Sequence, residues 1–532
     1  MQIKSYDEAI RFLENFIGKV RFRIDTEFIK EHDPLERVRV LLSLLGNPQD
    51  KFSSVLVGGT SGKGSTAYLI SQILTKASYK TGLTLSPHLQ KINERIQING
   101  EQISDEKFTG LLVSILDSIE GMKKMDVGAP SYFEILIAMA FLYFAKEKVD
   151  IAVVEVGMGG EFDATNTLYP LAAVLTNVSL DHTNVLGGTV QKIARTKVGI
   201  IKGFSACHPE FISGSPARRQ VCLQPNEMPK QVRHDKGKRP IVITGAKQAS
   251  VIKIIEDRCK ETGSELLRLG KDFDFKIKKE SLEGSVFDLT TDSGRLLQLN
   301  DLKLPLLGKY QVENASLAIE TVRQLADFGF RVSEENIKKA LETAFFPGRF
   351  EIFSVIGSQL SVVGNKSVGR QSVSLETDEQ KTDQPESENR KQKTDNRIRY
   401  TLVLDGAHNP TKMKAFLSAL KKLYPRQRKI FIIGFKFDKD IPKMLKQILE
   451  VADILIITQF KAKTDTSNNA STDALNIKHQ ILKIKHDGKV VVVEKDSKKA
   501  LDKALTIEQF SNSTIIVVTG SLYLVGEIRS ML

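Results

Sequence analysis

Val55-Leu56-Val57-Gly58-Gly59-Thr60-Ser61-Gly62-Lys63-Gly64-Ser65-Thr66 runs from β-branched apolar residues through a glycine turn to a lysine and two hydroxyls. The apolar spacing of Leu69, Ile70, Ile73, Leu74 and Ala77 then predicts a helix. A buried strand, a glycine loop and a helix N-terminus together make a phosphate cradle, because backbone N–H groups and the positive helix end converge on anionic oxygens. Lys63 is expected to reach the terminal phosphates, and Ser65 or Thr66 to sit beside a magnesium ion. Counted from Gly58 the loop is one residue short of the GxxxxGK[ST] form, and two short from Gly59. It is a variant P-loop.

Outward from this loop, strand-like runs alternate with helical periodicity, the mark of an α/β fold with largely parallel sheets. The strands expected in the first half are Ser53–Val57, Thr81–Leu85, Ile151–Val156, Ala172–Asn177 and Ile241–Thr244. In the second half they are Tyr400–Leu404, Lys429–Ile433, Ile454–Thr458, Val490–Glu494 and Thr514–Val518. Leu302–Leu307 leads to a helix expected over Asn314–Phe328, and the domain boundary is placed near 306, giving domains 1–306 and 307–532. Segments 204–240 and 364–399 are too polar to offset their ordering entropy and read as disordered insertions.

The chain has 532 residues and a net charge of +13. A basic chain invites a nucleic-acid reading. Between Phe204 and Pro240, however, seven basic residues face three acidic ones, so one loop-like stretch carries +4 of the charge. Solvated surface charge is the better account. Cys207, Cys222 and Cys259 show no CxxC spacing, which argues against a zinc site or a disulfide framework. The amphipathic start from Met1 to Phe16 lacks signal-peptide order, and the longest apolar run, Ile135 to Ala145, is too short to cross a bilayer. A cytoplasmic enzyme without membrane partner is expected.

In parallel sheets ligands bind beyond the carboxyl ends of the strands. The expected ends carry the phosphate loop, Ser86, Glu155, and Asp181 with His182. A carboxylate in an apolar strand is costly unless paired or metal-bound, so Glu155 is the candidate magnesium anchor, with an arginine partner as the bland alternative. His182 serves equally as a ligand or as a hydrogen-bonded structural residue. In the second half, Asp405-Gly406-Ala407-His408-Asn409-Pro410 places a carboxylate at a strand end. There a ribose contact and a turn or N-cap aspartate are both open.

With these residues in hand, the chain resembles folylpolyglutamate synthase/dihydrofolate synthase, within the Mur-type ATP-dependent amide ligases. The resemblance rests on Gly59-Thr60-Ser61-Gly62-Lys63-Gly64-Ser65, Ser86-Pro87-His88-Leu89 with Glu94-Arg95-Ile96, Tyr132-Phe133-Glu134, and Glu155-Val156-Gly157-Met158-Gly159-Gly160 with Asp163-Ala164-Thr165-Asn166. It continues through Asp181-His182-Thr183, Lys197-Val198-Gly199-Ile200, Pro347-Gly348-Arg349-Phe350, Asp405 to Pro410, and Thr519-Gly520-Ser521-Leu522-Tyr523. Ser61, Tyr310 and Glu161 depart from the residues usual in that family.

The resemblance implies an N-terminal P-loop domain that binds ATP and folate, and a smaller C-terminal Rossmann-like domain. Ser86, Glu155 and His182 match magnesium ligands, and Lys197 a lysine that becomes carbamylated to help hold a second magnesium. By itself Lys197 reads as a solvated helix lysine. Gly59 to Ser65, Asn314, Arg349 and Asp405 match nucleotide contacts, while Tyr132, Phe133 and Asp163 match the substrate region, as does Leu35-Glu36-Arg37-Val38. Lys63, Lys197 and His408 are the implied catalytic groups.

The implied reaction joins L-glutamate to dihydropteroate, to reduced folates or to both, through an acyl phosphate, with closure of the C-terminal domain shielding it. The expected partners are small molecules only, and the chain is read as a monomer. The alternatives are a UDP-sugar cell-wall ligase, against which too few residues precede Gly58, a nucleic-acid-stimulated ATPase, and a binding protein without activity.

Overall fold

Apolar β-branched runs make the strands, and their registers set the strand ends side by side. The structure, a computed structural model, describes residues 3–18, 33–203, 239–292, 297–356, 359–362, 399–461, 465, 471–484, 488–507 and 514–532. The two polar insertions expected at 204–240 and 364–399 lie almost wholly outside the described residues, as do Cys207 and Cys222. Contacts divide the chain into two units. Unit 1 comprises Met1–Glu280, Gly284–Ala344 and Lys463–Ala470; unit 2 comprises Ser281–Glu283, Phe345–Ala462 and Ser471–Leu532.

Unit 1 is built on an eight-stranded sheet in the order β4-β3-β2-β5-β1-β6-β7-β8. Its strands are β1 (Ser53–Gly58), β2 (Thr81–Thr84), β3 (Ile96–Ile98), β4 (Glu101–Gln102), β5 (Ile151–Glu155), β6 (Ala172–Leu175), β7 (Ile241–Thr244) and β8 (Glu265–Arg268). All pairings are parallel except those of β3 with β2 and β4. The register of β1 sets Val57 opposite Glu155 and Gly58 opposite Leu175. The phosphate loop therefore leaves the sheet between the ends of β5 and β6, where the sequence placed a carboxylate and a histidine.

The helices that position the site are α1 (Glu36–Leu44), α2 (Lys63–Lys76), α3 (Tyr132–Lys146) and α4 (Val190–Lys197). Ser131 caps α3 in a capping box closed by Glu134, whose side chain returns to the Ser131 N–H at 2.6 Å. This is the long apolar run, and it is a core helix buried on nearly every side. Phe141 and Phe144 meet Phe52 edge-on at 5.9 and 5.8 Å. Each fully buried ring of this kind contributes roughly 1.5–3 kcal/mol. Among the described residues no helix is long and apolar enough to cross a membrane.

A three-stranded antiparallel sheet, β9 (Phe273–Ser281), β10 (Gly284–Thr291) and β11 (Leu297–Leu304), follows, and then α5 (Lys309–Gln324) and α6 (Glu334–Glu342). Both helices lie against α2, and Asn336 Nδ2 donates to Lys76 O at 2.8 Å. Those contacts keep residues 307–344 with unit 1, so the division falls after Ala344 and not near 306. Apart from Leu302–Leu307, the three-stranded sheet escaped the sequence reading because exposed residues interrupt the apolar runs of β9 and β11.

Unit 2 carries a seven-stranded sheet in the order β13-β12-β14-β18-β15-β16-β17. Its strands are β12 (Glu351–Ile356), β13 (Gln359–Val362), β14 (Arg399–Leu404), β15 (Arg428–Ile433), β16 (Ile454–Ile457), β17 (Val490–Val493) and β18 (Thr514–Thr519). β14 to β18 pair in parallel, and β12 and β13 add an antiparallel edge. The helices α7 (Pro410–Leu423) and α8 (Leu522–Arg529) follow β14 and β18.

Candidate active site

The phosphate loop is held by uncharged groups from the neighbouring strand end. Thr176 Oγ1 and Asn177 Nδ2 donate to the Ser61 carbonyl at 2.6 and 3.0 Å. The Ser61 and Thr60 N–H groups donate to the Asn177 side chain and carbonyl at 3.0 and 2.9 Å. Thr60 Oγ1 both donates to Ser179 O and accepts from the Ser179 N–H. Helical geometry leaves the first N–H groups of α2, starting at Lys63, without intrahelical partners, the arrangement that receives an anion. Gly62 has φ +85°, and a Cβ there would stand 2.3 Å from Asn314 Oδ1, so only glycine allows the α5 amide to lie against the loop.

Lys63, Glu155, Ser86 and Lys197 gather around this loop. Lys63 Nζ lies 3.9 Å from Glu155 Oε1, and both side chains are largely buried. Glu155 Oε2 accepts the Ser86 N–H at 2.9 Å. The expected bland partner of Glu155 was an arginine; the ion-pair partner in the structure is the loop lysine. Ser86 precedes Pro87 through a cis peptide bond. Lys197, at the end of α4, is buried and donates to the Gly59 carbonyl at 2.8 Å. Burial, then the Lys63 charge, lowers its amine to about 7. The solvated lysine suggested by the sequence alone is thereby corrected, because the end of α4 packs against Gly160 and turns Lys197 onto the Gly59 carbonyl.

His182 starts the short helix Thr183–Leu186 with φ +50°, three residues beyond Ser179, and its Nε2 lies 3.9 Å from Asp181 Oδ1. Among the described residues no three His, Cys, Asp or Glu side chains form a metal cluster. The donor set nonetheless fits a hard cation beside phosphate. Glu155 supplies a carboxylate, and the buried hydroxyls Ser61 Oγ and Thr66 Oγ1 have no hydrogen-bond partner among the described residues.

A pocket beside this cluster is lined by Ser86, Arg95, Phe133, Leu136, Ile137 and Glu155. Gly157 lets the Phe133 ring lie against the backbone, since a Cβ there would meet the ring at 2.6 Å. Tyr132 is buried under the Arg95 guanidinium, 5.9 Å from its ring centre. Arg95 Nε donates to His88 Nδ1 at 2.9 Å, and burial followed by the Arg95 charge lowers His88 to about 3. Asp163 accepts from the Met158 and Thr165 N–H groups and from Thr165 Oγ1 at 2.7, 3.1 and 2.6 Å. In this structure it braces the Gly157–Thr167 turn. Glu134 takes a two-pronged contact from Arg37 of α1, which fixes the N-terminus of α3 that carries Tyr132 and Phe133.

Arg349, Asp405 and His408 belong to unit 2. Asp405 is buried and accepts the Phe350 and Ala407 N–H groups at 2.9 and 2.8 Å, so the turn-aspartate role is realised. The N-cap of α7 is Asn409 instead. Burial raises Asp405 to about 6, against the opposing effect of Arg349 and these amides. His408 Nδ1 lies 2.7 Å from the Gly406 carbonyl, which requires the proton on Nδ1 and leaves Nε2 to accept from Lys412 Nζ at 3.0 Å. Arg95, Thr176 and Asn177 were quoted from the sequence without a role, and Lys412 was not reached. The available signal was the polar Thr176-Asn177 pair closing an apolar strand.

The Mur ligase middle-domain family model matches residues 57–322, half of the chain, and the chain belongs to that family. Residues 387–531 match the family described as dihydrofolate synthetase, C-terminal domain. The chain is 28% identical over 500 residues to dihydrofolate synthase/folylpolyglutamate synthase of Bacillus subtilis (strain 168), covering 94% of each. The crystal structure of folylpolyglutamate synthase from Thermotoga maritima superposes with a TM-score of 0.69 at 29% identity, covering 99% of this chain and 96% of that one. An FPGS–AMPPCP complex superposes with a TM-score of 0.69 at 25% identity, covering 99% of both. The family resemblance read from the motifs is borne out.

Proposed function

We propose that this chain couples ATP cleavage to amide-bond formation between L-glutamate and a pteroate or folate carboxylate. The observation that carries the reading is the pairing of Lys63 with Glu155 at the mouth of the phosphate loop. It sets a cation for the γ-phosphate and an anion for a metal within one ion-pair distance. The folate names of the relatives favour this acceptor over a UDP-sugar, and the AMPPCP complex of a similar enzyme favours ATP.

A carboxylate oxygen of the acceptor attacks the γ-phosphorus, ADP leaves, and an acyl phosphate forms. The glutamate α-amine then attacks the acyl carbon and loses a proton, and phosphate departs from the tetrahedral intermediate. Lys63 and the N–H groups opening α2 hold the phosphates and offset charge developing on the transferred group. On the family resemblance, Asn314, Arg349 and Asp405 are each assigned a nucleotide contact. His408, with its proton fixed on Nδ1, keeps an Nε2 lone pair directed at Lys412 and is assigned to the same nucleotide-facing set.

Ser86, Glu155 and His182 would hold one magnesium and Lys197, as its carbamate, would help hold a second, and these ions would supply Lewis-acid charge at the phosphates. Lys197 suits that modification, because an amine lowered to about 7 carries the neutral form that adds carbon dioxide. Tyr132 and Phe133, beside the Ser86–Glu155 cluster, are assigned to the acceptor, with Asp163 bracing the adjacent Gly157–Thr167 turn. The cytoplasm is the compartment this reading assigns.

The deciding assay is phosphate release with ATP, magnesium and glutamate, comparing dihydropteroate with tetrahydrofolate as acceptor. Glutamate-dependent release is expected with at least one of them. Release indifferent to glutamate and to both acceptors would end the proposal.

A further inference from the structure

Arg349 sits on a turn whose backbone is held from both sides by buried carboxylates. On one side Glu351, with its side chain 1% exposed, accepts the Gly348 N–H at 2.9 Å. On the other, Asp405 accepts the Phe350 N–H at 2.9 Å. Phe350 is held at φ +50°, a conformation that bulky residues rarely adopt, and its ring is fixed edge-on against Phe416 at 5.2 Å. The Gly348 carbonyl accepts both the Gly406 N–H at 3.0 Å and Arg349 NH1 at 3.1 Å. The guanidinium is thus referred to the same turn, over the Phe346 ring at 5.2 Å.

Glu351 cannot remain charged and buried without a cation. That cation is Arg529, the last residue of α8. Its Nε lies 3.0 and 3.2 Å from the two carboxylate oxygens and its NH2 3.1 Å from Oε1. One oxygen of Glu351 therefore serves Arg529 and the Gly348 amide together. A change at the C-terminal helix is transmitted to the Arg349 turn through a single carboxylate.

We propose that the Glu351–Arg529 pair is a positioning device for Arg349 and sets the apparent affinity for the nucleotide. This rests on the reading of Arg349 as a nucleotide contact. A pair that merely fastened α8 to β12 would affect stability without preferring one substrate. A positioning pair acts on ATP selectively.

The test compares R529K, E351Q and R349A, each alone, with the double variant R349A/R529K, in the full enzyme. Lysine keeps the charge but loses the two-pronged geometry. R529K is expected to raise the KM for ATP about five- to tenfold, while the KM for glutamate stays within about twofold. E351Q should do the same and provides a second route if either variant folds poorly. The double variant should have the ATP KM of R349A alone, because the brace acts only through that side chain. An ATP KM unchanged in both R529K and E351Q while R349A raises it, or effects that multiply in the double variant, would overturn the positioning role and leave the proposed function standing. If R349A itself leaves the ATP KM unchanged, the nucleotide reading of Arg349 falls and the positioning role falls with it.

Discussion

The phosphate loop of unit 1 and the Arg349 turn of unit 2 solve the same problem with opposite chemistry. Both are short, glycine-containing turns at the end of a strand that must keep a fixed shape. The loop is braced by neutral groups, Thr176, Asn177 and Ser179, together with a lysine amine whose charge burial suppresses. The turn is braced by two carboxylates, Glu351 and Asp405. What each turn presents explains the difference. A loop that receives an anion cannot be propped on anions close to its amides, whereas a turn that presents a guanidinium gains from carboxylates behind it. Glu155 is the exception in unit 1, and its place beside Lys63 suits a cation.

The largest test of this contrast is Lys63→Ala. Removing the one full positive charge of the loop should cut turnover by ~10²–10³ or more, with thermal unfolding close to the parent; near-normal turnover would refute its role. Glu155→Gln keeps the shape and removes the anion, so the magnesium needed for half-maximal activity should rise by roughly 10–100-fold. An unmoved magnesium titration would remove Glu155 from the metal site. Asn177→Ala deletes a neutral brace and leaves the Ser61 backbone short of partners, at a cost of about 1–3 kcal/mol. That should appear as weaker ATP binding; an unchanged KM for ATP would mean that the loop holds its shape without help.

The last test reads stability against pH. Lys197 titrates near 7 when folded and at 10.5 in its unperturbed state. Between those values the unfolded chain binds more protons, so stability rises with pH through that window and is lowest below it. For the unmodified amine, in buffer free of carbon dioxide, Lys197→Met should flatten this rise, as read from urea midpoints at pH 7 and 9. An equal rise in both proteins would show that the amine is not buried as described.

Local pattern carried much of this. The P-loop variant, the alternating strands and the carboxylate and histidine at the strand ends were legible because an apolar run of strand length followed by glycine constrains the backbone over a few residues. Glu155 was legible for a related reason, since a charge inside Ile151-Ala152-Val153-Val154 demands a partner. The boundary after Ala344 was not, because it depends on α5 and α6 choosing α2 as their packing surface.

The sequence by itself determined an α/β chain with a phosphate loop, and which strand ends would carry its polar groups. The tertiary structure alone decided that Lys197 is buried beneath Gly59, that Asn314 rests against Gly62, and that Arg529 reaches the turn of Arg349. Periodicity and turn chemistry act between neighbours in the chain. In each of these three cases the partner lies more than a hundred positions away in the chain, beyond the reach of any local pattern.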